Sequence, residues 1–209
     1  MNAYERAVWL ALGALIVIII SGSLVRLTGS GLGCSDWPNC NNTRFIDVSS
    51  GHAAIEQINR LFTGVVALSV AGAVALSLLL AKPVRKITNN AILLVIGVIA
   101  QVIIGAYVVL TGLNPWTNMV HFLVSFMLVT AAVVLLNRTR TLSSGVPPID
   151  RQDVALKKAL FSSAMISVVL GTVVTGSGPH SGSEAVTRLD ISVRFATQLH
   201  SIAVWITVA

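Results

Sequence analysis

The sequence predicts an all-α, polytopic transmembrane helix bundle. Of its 209 residues, 55% are hydrophobic and only 11% are charged, and the apolar residues come in continuous blocks. Asp, Glu, Lys and Arg are absent from residues 7–25, 61–81, 91–113 and 119–136. Because each block approaches the roughly 20 residues that a helix needs to cross a bilayer, each is predicted to be a membrane span.

The remaining elements follow in chain order. The first block is longer than the apolar core of a signal peptide, about 7–15 residues, and no small-residue cleavage site follows, so we expect a retained helix. Residues 159–174 are shorter, and with polar flanks they form a fifth predicted span. Residues 195–209 are still apolar at the last position. We therefore expect the chain to be truncated within its sixth helix, with partner helices missing.

The basic residues predict the orientation. With a cytoplasmic N-terminus, nine lie inside and five outside, which obeys the tendency of Lys and Arg to remain inside. The net charge of +6 is thereby explained by membrane topology, and no nucleic-acid partner is needed. The outer residues are Arg26, Arg44, Arg60, Arg188 and Arg194; the inner ones are Arg6, Lys82, Arg85, Lys86, Arg138, Arg140, Arg151, Lys157 and Lys158.

Two histidines lie in segments that otherwise read as membrane helix. His121 is expected in the first turn of the fourth helix and His200 near the outer start of the sixth. An ionisable ring at membrane depth usually faces a partner, an ion or a cofactor, and imidazole is a standard axial ligand of haem iron. A hydrogen bond to a neighbouring helix, or hydration at the interface, would explain them equally well.

Polar residues also cluster at the outer start of the second helix. Glu56 can share a helix face with Asn59 or Arg60, because residues three and four apart are neighbours on a helix surface. Together with the two histidines they predict a polar site near the outer surface. The alternative for Glu56 and Arg60 is an interfacial ion pair.

The two cysteines, Cys34 and Cys40, lie in the first outer loop. A disulfide is favoured there, because that side of a bacterial membrane is oxidising and Pro38 helps to turn the chain. A zinc site is less consistent with the sequence, since no nearby His or second Cys pair completes a ligand set. Spacing leaves open whether the bond is structural or exchanges with a redox partner.

Short motifs repeat along the chain. Residues 22–29 are similar to residues 105–112, and residues 28–31 are repeated at residues 175–178. Residues 56–59 can be aligned with residues 197–200, so that Asn59 takes the position of His200 in the alignment. This pattern indicates a duplicated four-helix unit. A counterpart of His121 is then expected beyond residue 209.

Several motifs together resemble the haem A synthases of the CtaA type. They occur in family order across essentially the whole chain: residues 25–40 around the cysteines, Glu56-Gln57-Ile58-Asn59-Arg60, residues 101–105, residues 111–116 with His121, and residues 171–180.

The resemblance implies an eight-helix bundle of two pseudo-duplicated halves in the bacterial plasma membrane. Residues 1–140 would form the N-terminal half, which holds the substrate haem, and residues 141–209 the start of a haem b half. The family oxidises the C8 methyl of haem O to a formyl group, giving haem A for cytochrome c oxidase. Expected partners are haem O synthase, other oxidase assembly factors and a second copy of the chain.

The resemblance also implies residue roles. His121 would ligate the iron of haem O, His200 the iron of haem b, and Glu56 would be catalytic, moving protons beside the haem edge. Cys34 and Cys40 match the outer-loop pair. Arg60 and His180 are expected to contact haem, whereas His52 is expected to be an exposed loop histidine. Arg26, Arg60 and Arg194 could pair with haem propionates or simply anchor the interface.

One position departs from the family motif, Glu-x-x-His-Arg: this chain has Asn59 where the histidine belongs. An amide does not ordinarily replace imidazole on haem iron. Either the substrate site is five-coordinate through His121, or the residue was altered, or this copy is impaired. Two other functions therefore stay open: a non-catalytic b-type membrane cytochrome, and a transporter with an intramembrane polar site.

Overall fold

The structure, a computed structural model, describes residues 3–80, 84–144, 154–184 and 186–209. Within these ranges the chain is all-helical and contains no strand, which confirms the predicted fold class. The six helices are α1 (Ala3–Leu27), α2 (Gly51–Leu78), α3 (Arg85–Leu110), α4 (Pro115–Ser144), α5 (Val154–Ser177) and α6 (Val193–Val208).

Five of the six described helices, α1 to α5, are long and apolar enough to cross a membrane, so the chain is a multi-pass membrane protein. These helices extend beyond most ends of the charge-free blocks, because charged and polar residues at the interface continue the same helical turns. Helix α4 also runs past residue 140, where the sequence suggested a boundary between the halves.

The predicted end of the third helix was wrong. Helix α3 ends at Leu110, and Leu113 has a φ of +60°. Gly112, with a φ of +62°, donates to the carbonyl of Val109, while the N–H of Leu113 donates to Val108. These paired bonds form a Schellman motif, in which a left-handed glycine terminates the helix whatever the hydrophobicity of the next residues.

The same motif ends α1. Gly29 has a φ of +66° and donates to the carbonyl of Arg26, and the N–H of Ser30 donates to Val25. The repeated sequence at residues 22–29 and 105–112 therefore folds into the same helix terminus twice.

Helices α1 to α4 form a closed ring, in which each helix packs against its two neighbours, while α5 packs against α4 and α6. One end of the ring is filled by an apolar core that includes Val8, Val70, Leu94 and Leu135. At that end Arg140 joins α4 to α1, with Nε 3.6 Å from Oε1 of Glu5 and its guanidinium over the Trp9 ring. The other end of the ring carries the loop with Cys34 and Cys40, and we call it the disulfide end.

Candidate functional site

A cavity of about 550 Å³ opens between α1, α2, α3 and α4 at the disulfide end. Its walls are largely apolar, and its volume lies within the range of small-molecule and cofactor sites, about 300–1,000 Å³. Glu56, Asn59, Arg60 and His121 all line it. The structure thus brings together four of the residues that the sequence singled out.

Arg60 and Glu56 form a buried ion pair on α2. Oε1 of Glu56 accepts from Nε and Nη2 of Arg60 at 3.0 and 2.5 Å. The remaining N–H groups of Arg60 donate to backbone carbonyls of the cysteine loop, at Cys34, Asp36 and Asn39. Oε2 of Glu56 accepts the N–H of Cys34 at 2.7 Å. The ion pair considered for these residues is therefore present, and it also anchors the loop to α2.

The predicted disulfide is present between Cys34 and Cys40, and both residues are fully buried. Burial favours a structural bond, because exchange requires that a thiolate reach the sulfur. Nearby, Asp47 accepts from the Ser49 N–H and from Nδ2 of Asn41. Hydrogen bonding to Ser49, from its side chain first and then from its backbone, holds the pKa of Asp47 below its usual value.

His121 lies in the second turn of α4, not the first, because the helix already begins at Pro115. Its imidazole packs against Gly105 of α3: a Cβ there would be 3.3 Å from Cε1. Nε2 of Gln101 donates to the His121 carbonyl at 2.9 Å and also to Oγ of Ser125. Nδ1 of His121 is buried and has no partner in the described part of the chain.

Asn59 has a comparable setting between α2 and α1. Its Oδ1 accepts from Oγ of Ser21 at 2.7 Å. It faces Gly22, where a Cβ would lie 4.0 Å from Oδ1. The position therefore opens into the cavity and has a glycine on the opposite helix.

His200 lies outside this cavity, between α6 and α5. Its Nδ1 is 2.9 Å from the Ser167 carbonyl, and a Cβ at Gly171 would be 3.1 Å from Cε1. A ring whose Nδ1–H donates to a carbonyl keeps Nε2 as a lone pair, the form in which histidine binds metals. The donor set therefore fits an axial ligand.

Two other histidines have lesser roles. His52 belongs to the first turn of α2, not to the preceding loop, and its Nδ1 is 2.9 Å from Oγ of Ser30. His180 is exposed and does not line the cavity, so its expected haem contact stays a prediction.

Two cavity residues, Gln101 and Ser181, were given no individual role from the sequence. Among the described residues, six buried side-chain N or O atoms lack a hydrogen-bond partner, and four of the six line this cavity, in Arg26, Gln101, His121 and Ser181. Buried polar atoms are nearly always paired, so this concentration indicates a ligand site. The only sequence signal for Ser181 was that it directly follows the motif at residues 171–180.

Fold and site together define a multi-pass membrane protein with an internal, histidine-bearing cavity in a four-helix ring. The sequence matches the COX15-CtaA family, described as cytochrome oxidase assembly proteins, over residues 5–52 and 44–189. The chain belongs to this family, which contains the haem A synthases.

Similar proteins include the "Heme A synthase" of Lysinibacillus sphaericus, 34% identical over 140 residues, which are 65% of this chain and 45% of that protein. The "Heme A synthase" of Bacillus mycoides is 36% identical over 123 residues, 58% of this chain and 39% of the relative. The chain thus spans less than half the length of the curated relatives that it matches. No solved structure gives a significant match.

Proposed function

We propose that this chain contains the substrate-binding half of a haem A synthase, which oxidises the C8 methyl of haem O to a formyl group. The observation that carries the proposal is the cavity at the disulfide end. It combines apolar walls, suited to a porphyrin, with the imidazole of His121 and the carboxylate of Glu56. The product, haem A, would serve cytochrome c oxidase.

His121 is the proposed ligand of the substrate iron. Its ring lines the cavity, and its buried Nδ1 has no partner within the described ranges, so the side chain is not committed to a structural hydrogen bond. Glycine at position 105 leaves room for the ring, since a Cβ there would lie 3.3 Å from Cε1. With Asn59 as an amide, we propose a five-coordinate substrate haem bound through His121.

Glu56 is the proposed catalytic carboxylate. It is held in place by Arg60 and by the Cys34 N–H, which fixes the position of its oxygens at the cavity wall. A carboxylate positioned in this way can accept protons released as the methyl carbon is oxidised in successive steps. Arg60 is a positioning residue in this proposal, because all five of its N–H groups already donate within the protein.

His200 is the proposed ligand of a resident haem b. Its Nδ1 contact with the Ser167 carbonyl fixes the tautomer that leaves Nε2 free for iron. When bound, haem b supplies one-electron transfer. The division into a substrate half, residues 1–140, and a haem b half, residues 141–209, belongs to the same proposal.

The cellular setting is proposed on family grounds. The chain would lie in a bacterial plasma membrane with its N-terminus in the cytoplasm and the disulfide end outside. Haem O synthase, other oxidase assembly factors and a second copy of the chain would be its partners. The mass of the detergent-solubilised protein tests the self-association.

Asn59 favours one alternative, a b-type cytochrome that binds haem without modifying it. To separate the two, the chain is expressed in a host that makes haem O and lacks its own haem A synthase. We expect the purified protein to carry haem O or haem A, and His121→Ala to lose this pigment. Glu56→Gln should retain haem O and form no haem A.

The outcomes separate the readings. A colourless protein from a haem-rich host contradicts any haem function. Bound haem with no haem A, in both the Asn59 protein and an Asn59→His variant, contradicts the synthase and favours the cytochrome.

A further inference from the structure

Arg26, at the end of α1, places an unpaired guanidinium in the cavity wall. Its Nε is buried and lacks a hydrogen-bond partner, and no ion pair to Arg26 occurs among the described residues. A partly buried cation with no counter-charge in a largely apolar cavity wall is costly. This cost is removed when a ligand brings the counter-charge.

Arg60 does not serve this purpose. Its five N–H groups donate to Glu56 and to three carbonyls of the cysteine loop. An anionic ligand would have to break one of these bonds to reach it. Of the two arginines in the cavity wall, Arg26 is the one whose Nε has no partner within the described ranges.

Ser181 provides a second free donor in the same wall. It belongs to the loop between α5 and α6, is only 3% exposed, and its Oγ has no partner in the described structure. The loop is held against the end of α1 at the next residue, because the Gly31 N–H donates to the Gly182 carbonyl at 2.9 Å. Gly182 also packs near Arg26, with Cγ of Arg26 3.9 Å from the position of a Cβ.

The charges of the cavity predict the sign of the ligand. Its charged residues in the described ranges are Arg26, Arg60 and Glu56. Glu56 and Arg60 neutralise each other in their ion pair. One positive charge remains, on Arg26. A guanidinium matches the two oxygens of a carboxylate, and the Ser181 hydroxyl in the same cavity wall is a further donor.

We infer that Arg26 and Ser181 form a carboxylate-binding subsite that holds a propionate of the substrate haem. The inference rests on the proposed function. It implies that the loop between α5 and α6, from the second half of the chain, completes the substrate cavity of the first half. Because the C8 methyl of haem O shares a pyrrole ring with a propionate, a fixed propionate restricts where the reacting methyl can lie.

The test compares iron protoporphyrin IX with its dimethyl ester, which lacks the carboxylate charges. Both are titrated against the whole chain in neutral detergent, in a His200→Ala background so that one imidazole site is measured by Soret absorption. We expect Arg26→Gln to weaken binding of the free acid about tenfold, the value of one charged hydrogen bond, and of the ester less than twofold.

Three further variants and a titration with added lipid test the assignment of the subsite. Ser181→Ala should weaken only the free acid, by a smaller factor, and Arg26→Lys should retain part of the preference. The control is Arg188→Gln, which removes an exposed arginine of the same loop. Added phosphatidylglycerol should leave the free-acid affinity unchanged.

Three results overturn the inference. Equal weakening of acid and ester by Arg26→Gln would assign Arg26 a structural role, and no weakening of either would exclude the subsite. Competition by phosphatidylglycerol in the native protein but not in Arg26→Gln would assign the guanidinium to a lipid phosphate. If neither porphyrin binds the native cavity, the proposed function itself fails.

Discussion

Gly171 of α5 faces the imidazole of His200 on α6: a methyl group at Gly171 would be 3.1 Å from Cε1 of the ring and 3.5 Å from Nδ1. Gly105 stands in the same relation to His121, and Gly22 to Asn59 at a looser 4.0 Å. In each pair a missing side chain on one helix makes room for a polar side chain on the next. Gly22 and Gly105 occupy the same position of the motif that repeats at residues 22–29 and 105–112.

Replacement of Gly105 or Gly171 by Ala should reduce haem retention several-fold at the affected site. The added methyl would press on the imidazole and turn it from its orientation, although Ala is the better helix former by about 1 kcal/mol. The measurement is haem per protein with the thermal melting temperature. Gly72→Ala is the control, because no atom lies within 4 Å of its added Cβ. Full haem retention in both variants would contradict the ligand roles.

Asn59→His should raise retention of the substrate haem and give the optical spectrum of two axial imidazoles. The opposite helix has glycine at Gly22, so a larger ring fits without a clash with a side chain. Asn59→Gln is the matched control, since it adds bulk and keeps the amide. Unchanged spectra in the histidine variant would mean that this position does not face the iron.

Arg60→Lys should loosen the cysteine loop and lower stability by on the order of 2 kcal/mol, because a lysine offers three donors in place of five and leaves Glu56 and loop carbonyls unpaired. Proteolysis of the loop and thermal melting are the measurements. Arg44→Lys is the control: its ion pair with Asp47 is mostly exposed on the arginine side, so little change is expected. Equal effects of the two substitutions would argue against an anchoring role for Arg60.

The Cys34–Cys40 disulfide should resist reduction in the folded protein. Both cysteines are buried within the loop that Arg60 holds, so a reductant reaches the sulfurs only when the loop opens. Thiol labelling after mild reduction is the measurement, with the denatured protein as the positive control. Replacement of both cysteines by Ala should cost about 2 kcal/mol, the loop-closure entropy of so short a loop. Rapid labelling of the native protein would favour a redox role.

The sequence predicted the helices well because a bilayer imposes a length and a charge rule that composition records directly. It predicted some helix limits poorly. Leu113 is apolar, yet it lies beyond a left-handed glycine, and His121 lies a turn deeper than expected because α4 begins at Pro115. Hydrophobicity indicates which residues can lie in the membrane. It does not indicate the residue at which the helical backbone hydrogen bonds end.

The site was predicted in part. Glu56, Arg60, Asn59 and His121 share one cavity, as their common predicted side of the membrane suggested. The ion pair of Arg60 with Glu56 was considered from their i, i+4 spacing, but the hydrogen bonds of Arg60 to the cysteine loop and the unpartnered Nε of Arg26 could not be predicted. The difference between the two arginines depends on three carbonyls of a loop more than 20 residues away in sequence.

Taken alone, the order of residues determined that this chain crosses a membrane as helices, that its family motifs are those of haem A synthases, and that histidine is missing at position 59. Tertiary structure decided that the ring is packed at one end and hollow at the other, and that Ser181 of a distant loop lines the same cavity as Arg26. The reason is physical: apolar blocks specify burial in lipid, but which polar atoms remain unpaired depends on how the helices and loops finally pack.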